Sequence, residues 1–170
     1  NGWIQRPDHR GYAPRSKRSP YDGGVRTPII VSWPGRLRPG RDPALVSSLD
    51  LAPTVLEACG ATTMASLPGH DLVAVAAGRE PPREEVCGEI FTHDVVDLDE
   101  PAASLLYRWV VRGEWKLIVP QRPEDAVELY QVATDPMEQH DLAREQPARV
   151  ELLRRRLDRW WPGGVRQPPR

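Results

Sequence analysis

The sequence predicts an α/β protein. It combines a parallel-type sheet domain carrying a helix with a small antiparallel sheet on which one C-terminal helix packs. Three observations predict this. Ile29-Ile30-Val31-Ser32-Trp33 is a nearly unbroken apolar, β-branched run, the pattern of a strand buried on both faces. Two strand-like runs, 105–112 and 114–119, meet at Gly113, which suits a tight hairpin. Val150, Leu153, Leu157 and Trp160 or Trp161 recur at helical spacing over 147–161, the stripe of an amphipathic helix. The 170 residues divide accordingly into an α/β part over 1–102 and a small subdomain over 103–170.

Taken in order, residues 1–27 lack periodicity and are dominated by Gly, Pro, Arg, Asp and Ser. They read as a long loop, and loops of that length are usually functional or disordered. Trp3, Ile4, Tyr12 and Tyr21 give it side chains to pack with, which favours function. Pro34-Gly35 ends the first strand. Asp50 reads as an N-cap whose carboxylate takes an N–H of the first helical turn, with Pro53 inside that turn. Leu51, Val55, Leu56 and Cys59 then share an apolar face, with Val55 and Leu56 directed at the sheet, and Gly60 stops the helix.

Residues 61–85 read as loop with a short helix at 72–77, followed by a strand at 85–93 and an acidic connection at 94–101. In the hairpin, alternation groups Tyr107, Trp109 and Val111 on one side of the first strand. On the second strand it groups Trp115, Leu117 and Val119. Residues 127–132 form a third short strand, and the tail from Pro162 reads as frayed. The 19 prolines mostly bound elements, since proline ends helices and is excluded from central strands.

Composition excludes several classes. Acidic and basic residues nearly cancel, 24 against 23, leaving no field to attract nucleic acid or an anionic membrane. No apolar run approaches the roughly 20 residues of a membrane span, and the polar N-terminus has no signal-peptide pattern. Arg154-Arg155-Arg156 is flanked by Glu151 and Asp158 and reads as a solvated helix face. Cys59 and Cys87 read as two buried free thiols, with a bridge left open.

One set of motifs goes further. Lys17-X-X-X-Tyr21-Asp22-Gly23-Gly24-Val25-Arg26-Thr27-Pro28 precedes Trp33-Pro34-Gly35 and Ser48-Leu49-Asp50-Leu51-Ala52-Pro53-Thr54. Trp115-Lys116-Leu117-Ile118, Glu128-Leu129-Tyr130, Asp135-Pro136-X-Glu138 and Leu142-Ala143 follow. This order and spacing resembles the C-terminal half of the sulfatases, members of the alkaline-phosphatase-like hydrolases.

The resemblance implies an alkaline-phosphatase-like α/β sheet domain and hydrolysis of a small-molecule or glycan sulfate ester. A hydrated formylglycine would attack sulfur, and a divalent cation, usually calcium, would hold the nucleophile and sulfate oxygens. Lys17 matches the lysine that binds the sulfate and stabilises charge on the leaving-group oxygen. A fixed ammonium facing a developing anion in a water-poor site is effective for that task. Tyr21 and Asp22 would fix the loop that aims it. Gly23-Gly24 would allow a close backbone approach or positive φ, and Arg26 would be a structural ion-pair partner.

Asn1 matches an asparagine that follows a metal-binding aspartate. Its amide oxygen is a hard ligand, useful only in an intact parent because calcium takes about 6–8 oxygens. The chain therefore reads as the second half of a longer enzyme. The nucleophile, the arginine beside it, the first metal aspartates and the histidine acid would lie in an N-terminal half. Neither Cys59 nor Cys87 begins the Cys-X-Pro-X-Arg pattern that is converted to formylglycine. Alone, the piece is expected to be inactive and poorly soluble. The family also implies a periplasmic or extracellular parent, while the residues themselves leave location open.

His93 ends a predicted strand beside the acidic segment, where open α/β sheets place ligand contacts. It is a candidate for gripping the organic part of the substrate, with an ordinary surface histidine as the competing reading. His9, His70 and His140 lack metal-ligand spacing. Two alternatives share the motifs: a phosphodiesterase or phosphonate monoester hydrolase of the same superfamily, and a non-catalytic pseudoenzyme or binding module.

Overall fold

The computed structural model describes residues 6, 8, 11–61 and 67–161. They fall into two compact units: one is Pro28–Val86, the other joins Asn1–Thr27 to Cys87–Arg170. Asn1 lies outside the described residues, as does the expected frayed tail from Pro162.

The larger unit is built on a four-stranded sheet, with strands β1 (Glu85–Phe91), β2 (Leu105–Arg112), β3 (Trp115–Pro120) and β4 (Glu128–Gln131) in sequential order. β2 and β3 run antiparallel with Arg112 opposite Trp115, so Gly113-Glu114 is a two-residue turn. Gly113 adopts φ 55° there, a left-handed conformation that glycine reaches without Cβ strain. The strands predicted over 85–132 are present, slightly shifted: 85–93 ends at Phe91, and 127–132 shortens to Glu128–Gln131.

The register aligns Val110, Leu117 and Leu129 across three strands. They form one core with Val119 and with Leu153 and Leu157 of helix α4 (Pro147–Trp160). Pro147 opens that helix, where its missing N–H costs nothing. Leu142 and Val150 close the edge of the core. The same sheet face buries Arg108, which donates to Asp158 Oδ1 at 2.8 Å and to the Trp161 carbonyl at 2.6 Å. A buried cation is thus matched to the carbonyl end of α4, where the helix dipole favours positive charge.

The opposite sheet face carries Trp109, Lys116, Ile118, Glu128 and Tyr130. Trp109 lies directly over Gly88 of β1, where an added Cβ would stand 2.4 Å from its ring. Residues 15–26 bond to this face through Arg15, Tyr21 and Asp22. They include a short helix, α1 (Asp22–Val25), within a stretch predicted to be wholly loop.

The smaller unit departs further from expectation. Residues 29–33 do not form a strand, and Ile30 is 86% exposed. A strand needs a ladder partner. Apart from the start of β1, the described residues of this unit pair through a single bridge, Leu45 to Arg83. Helix α2 (Leu51–Ala58) forms where predicted and ends as predicted. Gly60 sits at φ 66°, with Gly60 N–H donating to the Glu57 carbonyl and Ala61 N–H to the Leu56 carbonyl, the doubly bonded Schellman stop. Its apolar face is not packed on a sheet, however. Leu51 and Val55 are exposed, at 43% and 59%, and the buried residues are Pro53 and Thr54.

Asp50 also acts differently from the prediction. Its Oδ2 accepts from Ser47 N–H at 2.7 Å, completing a capping box on the 3-10 turn Ser48–Asp50. Its Oδ1 accepts from His70 N–H at 2.9 Å and pairs with Arg83. Thr54 donates to the Asp50 carbonyl at 2.6 Å and accepts from Leu72 N–H at 2.9 Å, at the start of α3 (Leu72–Ala76). Asp50 and Thr54 therefore bind their own unit together. Cys59 and Cys87 are not joined in a disulfide; Cys87 is half-buried but Cys59 is exposed, which corrects the expectation of two buried thiols.

Candidate functional site

Lys17 stands in a tight loop whose backbone is fixed locally before anything else touches it. Ser16 is buried and donates its hydroxyl to the Ala13 carbonyl at 2.7 Å. Ser19 donates both its hydroxyl and its N–H to the Ser16 carbonyl, at 2.6 and 3.2 Å. Arg15 and Arg18 on either side adopt φ 57° and 70°. Such left-handed backbone costs a non-glycine residue about 1–3 kcal/mol and persists only where surrounding structure enforces it.

The enforcement begins at the diglycine. A Cβ on Gly24 would lie 2.3 Å from the Ser19 carbonyl oxygen and 2.5 Å from that of Ser16. A Cβ on Gly23 would lie 2.4 Å from the Arg15 carbonyl oxygen. Of the two reasons predicted for Gly23-Gly24, close approach is the operative one; neither residue has positive φ. The loop is pressed onto α1, and only hydrogen fits between them.

The second restraint is ionic. Lys116 is fully buried on β3, with its Nζ 2.8 Å from Asp22 Oδ1 and 2.7 Å from Glu138 Oε1. Glu138 Oε2 accepts from Asp22 N–H at 2.7 Å. The Arg15 guanidinium donates to the Glu138 carbonyl and, at 3.4 Å, to Tyr130 Oη; its Cζ stands 4.5 Å from the Tyr21 ring centroid. Tyr21 donates to Glu128 at 2.8–2.9 Å, and Tyr130 donates to the same carboxylate. Burial, and then the bond to Glu128, push both phenols far above their ordinary pKa. Asp22 also pairs with the exposed Arg26 at 3.3 Å, the structural partnership predicted for Arg26.

Within this frame the Lys17 side chain is half-buried, its Nζ 5.2 Å from the Tyr12 ring centroid. An ammonium over an aromatic face is attracted by the ring quadrupole. His93 is exposed in the irregular turn after β1, and among the described residues no hydrogen bond or ion pair holds it. No group of three or more His, Cys, Asp or Glu among the described residues has the geometry to hold a metal ion.

The family described as "N-sulphoglucosamine sulphohydrolase, C-terminal" matches residues 10–159. The chain belongs to this sulfatase family. An ulvan-active sulfatase of Formosa agariphila is 26% identical across 90% of the chain, and an N-acetylgalactosamine-6-O-sulfatase of Bacteroides thetaiotaomicron is 27% identical across 93%. The chain spans 31% of the length of each. A structure solved in connection with the metabolism of multiple glycosaminoglycans by Bacteroides thetaiotaomicron superimposes with a TM-score of 0.63 at 22% identity. It covers 85% of this chain and 31% of its own.

In this sulfatase domain the motifs of the C-terminal sheet converge on the Lys17 loop. The sequence motifs contain Lys116, Glu128, Tyr130 and Glu138 without assigning any of them a role, and Arg15 lies outside them. The available signal was Lys116 itself. A lysine inside the apolar run Trp115-Lys116-Leu117-Ile118-Val119 is either exposed or buried with carboxylates, since a lone buried ammonium is too costly.

Proposed function

We propose that this chain supplies the leaving-group lysine of a sulfuric ester hydrolase acting on a sulfated sugar. The observation that carries the reading is the placement of Lys17. Its side chain is half-buried, and the segment that carries it is bonded to residues of the family motifs. In sulfate ester hydrolysis a nucleophile adds to sulfur, the bond from sulfur to the ester oxygen breaks, and the electron pair departs with that oxygen. The ammonium of Lys17 meets the negative charge as it develops there. Losing one preorganised donor of this kind costs roughly 10²–10³ in rate.

The nucleophile is proposed to come from residues outside this chain, because neither cysteine here begins the formylglycine pattern. His93 is proposed to touch the organic part of the substrate, from its exposed position beyond β1. A sugar substrate is supported by the similarity to the N-acetylgalactosamine-6-O-sulfatase. The test is turnover by the full-length protein of 4-nitrophenyl sulfate, 4-nitrophenyl phosphate and 6-O-sulfated N-acetylgalactosamine. Preference for the sulfates, lost in Lys17→Ala, is expected. Preference for the phosphate would replace this reading with a phosphate or phosphonate ester hydrolase, and no turnover of any would favour a non-catalytic role. Unchanged kinetics of His93→Ala on the sulfated sugar would remove His93 from the site.

A further inference from the structure

We propose that Glu138, Lys116 and Arg15 are positioning residues for Lys17: a charge-paired clamp on the second sheet face decides where its ammonium stands. The proposal rests on the reading that Lys17 stabilises the departing ester oxygen. Glu138 is 2% exposed and sits at φ 54° after the Asp135-Pro136 turn. That backbone turns its two ends to separate tasks. Its carboxylate accepts from Asp22 N–H at 2.7 Å, and its carbonyl accepts from the Arg15 guanidinium. One residue therefore grips the segment on both sides of Lys17. Lys116, fixed on β3, joins the Glu138 and Asp22 carboxylates at 2.7 and 2.8 Å, so the Asp22 end does not slide without separating it from a buried ammonium, while the Arg15 end is held by its bond to the Glu138 carbonyl.

Ordinary packing does not require this arrangement. Burying charges carries a desolvation cost, and well-packed apolar residues often replace buried ion pairs at no loss of stability. What an ion cluster adds is a defined geometry. The residues it holds include Arg15, one of two left-handed residues flanking Lys17. Without the clamp the loop is left with its local Ser16 and Ser19 bonds and its close approach to the diglycine. A displacement of about 1 Å from a change remote from the chemistry is enough to cost roughly 10²-fold in rate.

The test uses the full-length protein with a series of aryl sulfates graded in leaving-group acidity. Lys17→Ala is expected to lose kcat most steeply for the poorest leaving groups. Glu138→Gln, which keeps the side-chain shape, and Arg15→Lys are expected to lose kcat by up to roughly 10²-fold with the same steepening. On the Lys17→Ala background Glu138→Gln is expected to add almost nothing, because coupled residues are not additive. A Glu138→Gln loss equal across the series, or one that adds in full to Lys17→Ala, overturns the clamp while leaving Lys17 in its role. If Lys17→Ala shows no leaving-group dependence, the reading of Lys17 fails first and the clamp falls with it. Arg15 lies at the surface, so Arg15→Lys carries the same comparison if Glu138→Gln does not fold.

Discussion

Gly24 sets the tolerance of the Lys17 loop. The atoms a Cβ would meet at 2.3 and 2.5 Å are backbone carbonyl oxygens, which have no rotamer to escape into. Gly24→Ala is expected to lower stability by about 1–3 kcal/mol, as overpacking does, and to lower sulfatase activity in the full-length protein. A thermal melt alongside a turnover assay checks both. Nearby, Tyr21 and Tyr130 share Glu128 and are held in the neutral form. Their folded pKa values lie above the unfolded value of about 10, so the native state binds more protons in the interval between. The stability they contribute is fully present below about pH 10 and is lost as pH rises above it. Tyr21→Phe is expected to flatten part of that alkaline fall in denaturant titrations at graded pH; an unaltered slope would contradict it. The diglycine was legible from sequence as a site of close approach or of positive φ, and the structure selects the first. The clamp was not, because Arg15 and Glu138 are separated by most of the chain and share no local period.

Elements with a local cause formed as read. Helix α4 follows its apolar spacing, the β2–β3 turn follows Gly113, and α2 stops at Gly60. Leu157 is fully buried in the core of the sheet unit, so Leu157→Ala is expected to cost about 2–5 kcal/mol, read as a shift of the denaturant midpoint. Residues 29–33 show where element reading stops. Their β-branched run carries strand propensity, but propensity expresses packing against neighbouring strands, and no such neighbour exists among the described residues of that unit. The apolar face of α2 is unburied for the same reason. Arg108 was unreadable for the opposite reason. Its partners, Asp158 and the Trp161 carbonyl, come from the far end of the fold.

For the whole molecule, two facts belong together. The chain spans 31% of the length of its curated relatives, and its smaller unit leaves Ile30, Leu49, Leu51 and Val55 exposed. Exposed apolar surface of this kind marks an interaction site or an aggregation liability. The 170-residue chain on its own is expected to self-associate, seen as light scattering that rises with concentration, and to turn over no aryl sulfate. A monomeric, cooperatively melting chain would contradict the first expectation.

The family and the broad architecture were legible because the motifs lie in order along the sequence. Their joint purpose became visible only when the sheet motifs met the Lys17 loop in space. The most direct measurement is a crystal structure of the full-length protein with sulfate bound. Lys17 Nζ is expected at about 2.7–2.9 Å from a sulfate oxygen, with the Glu138–Lys116–Asp22 cluster intact behind it. Sulfate held by other groups, with Lys17 Nζ turned to bulk water, would contradict it.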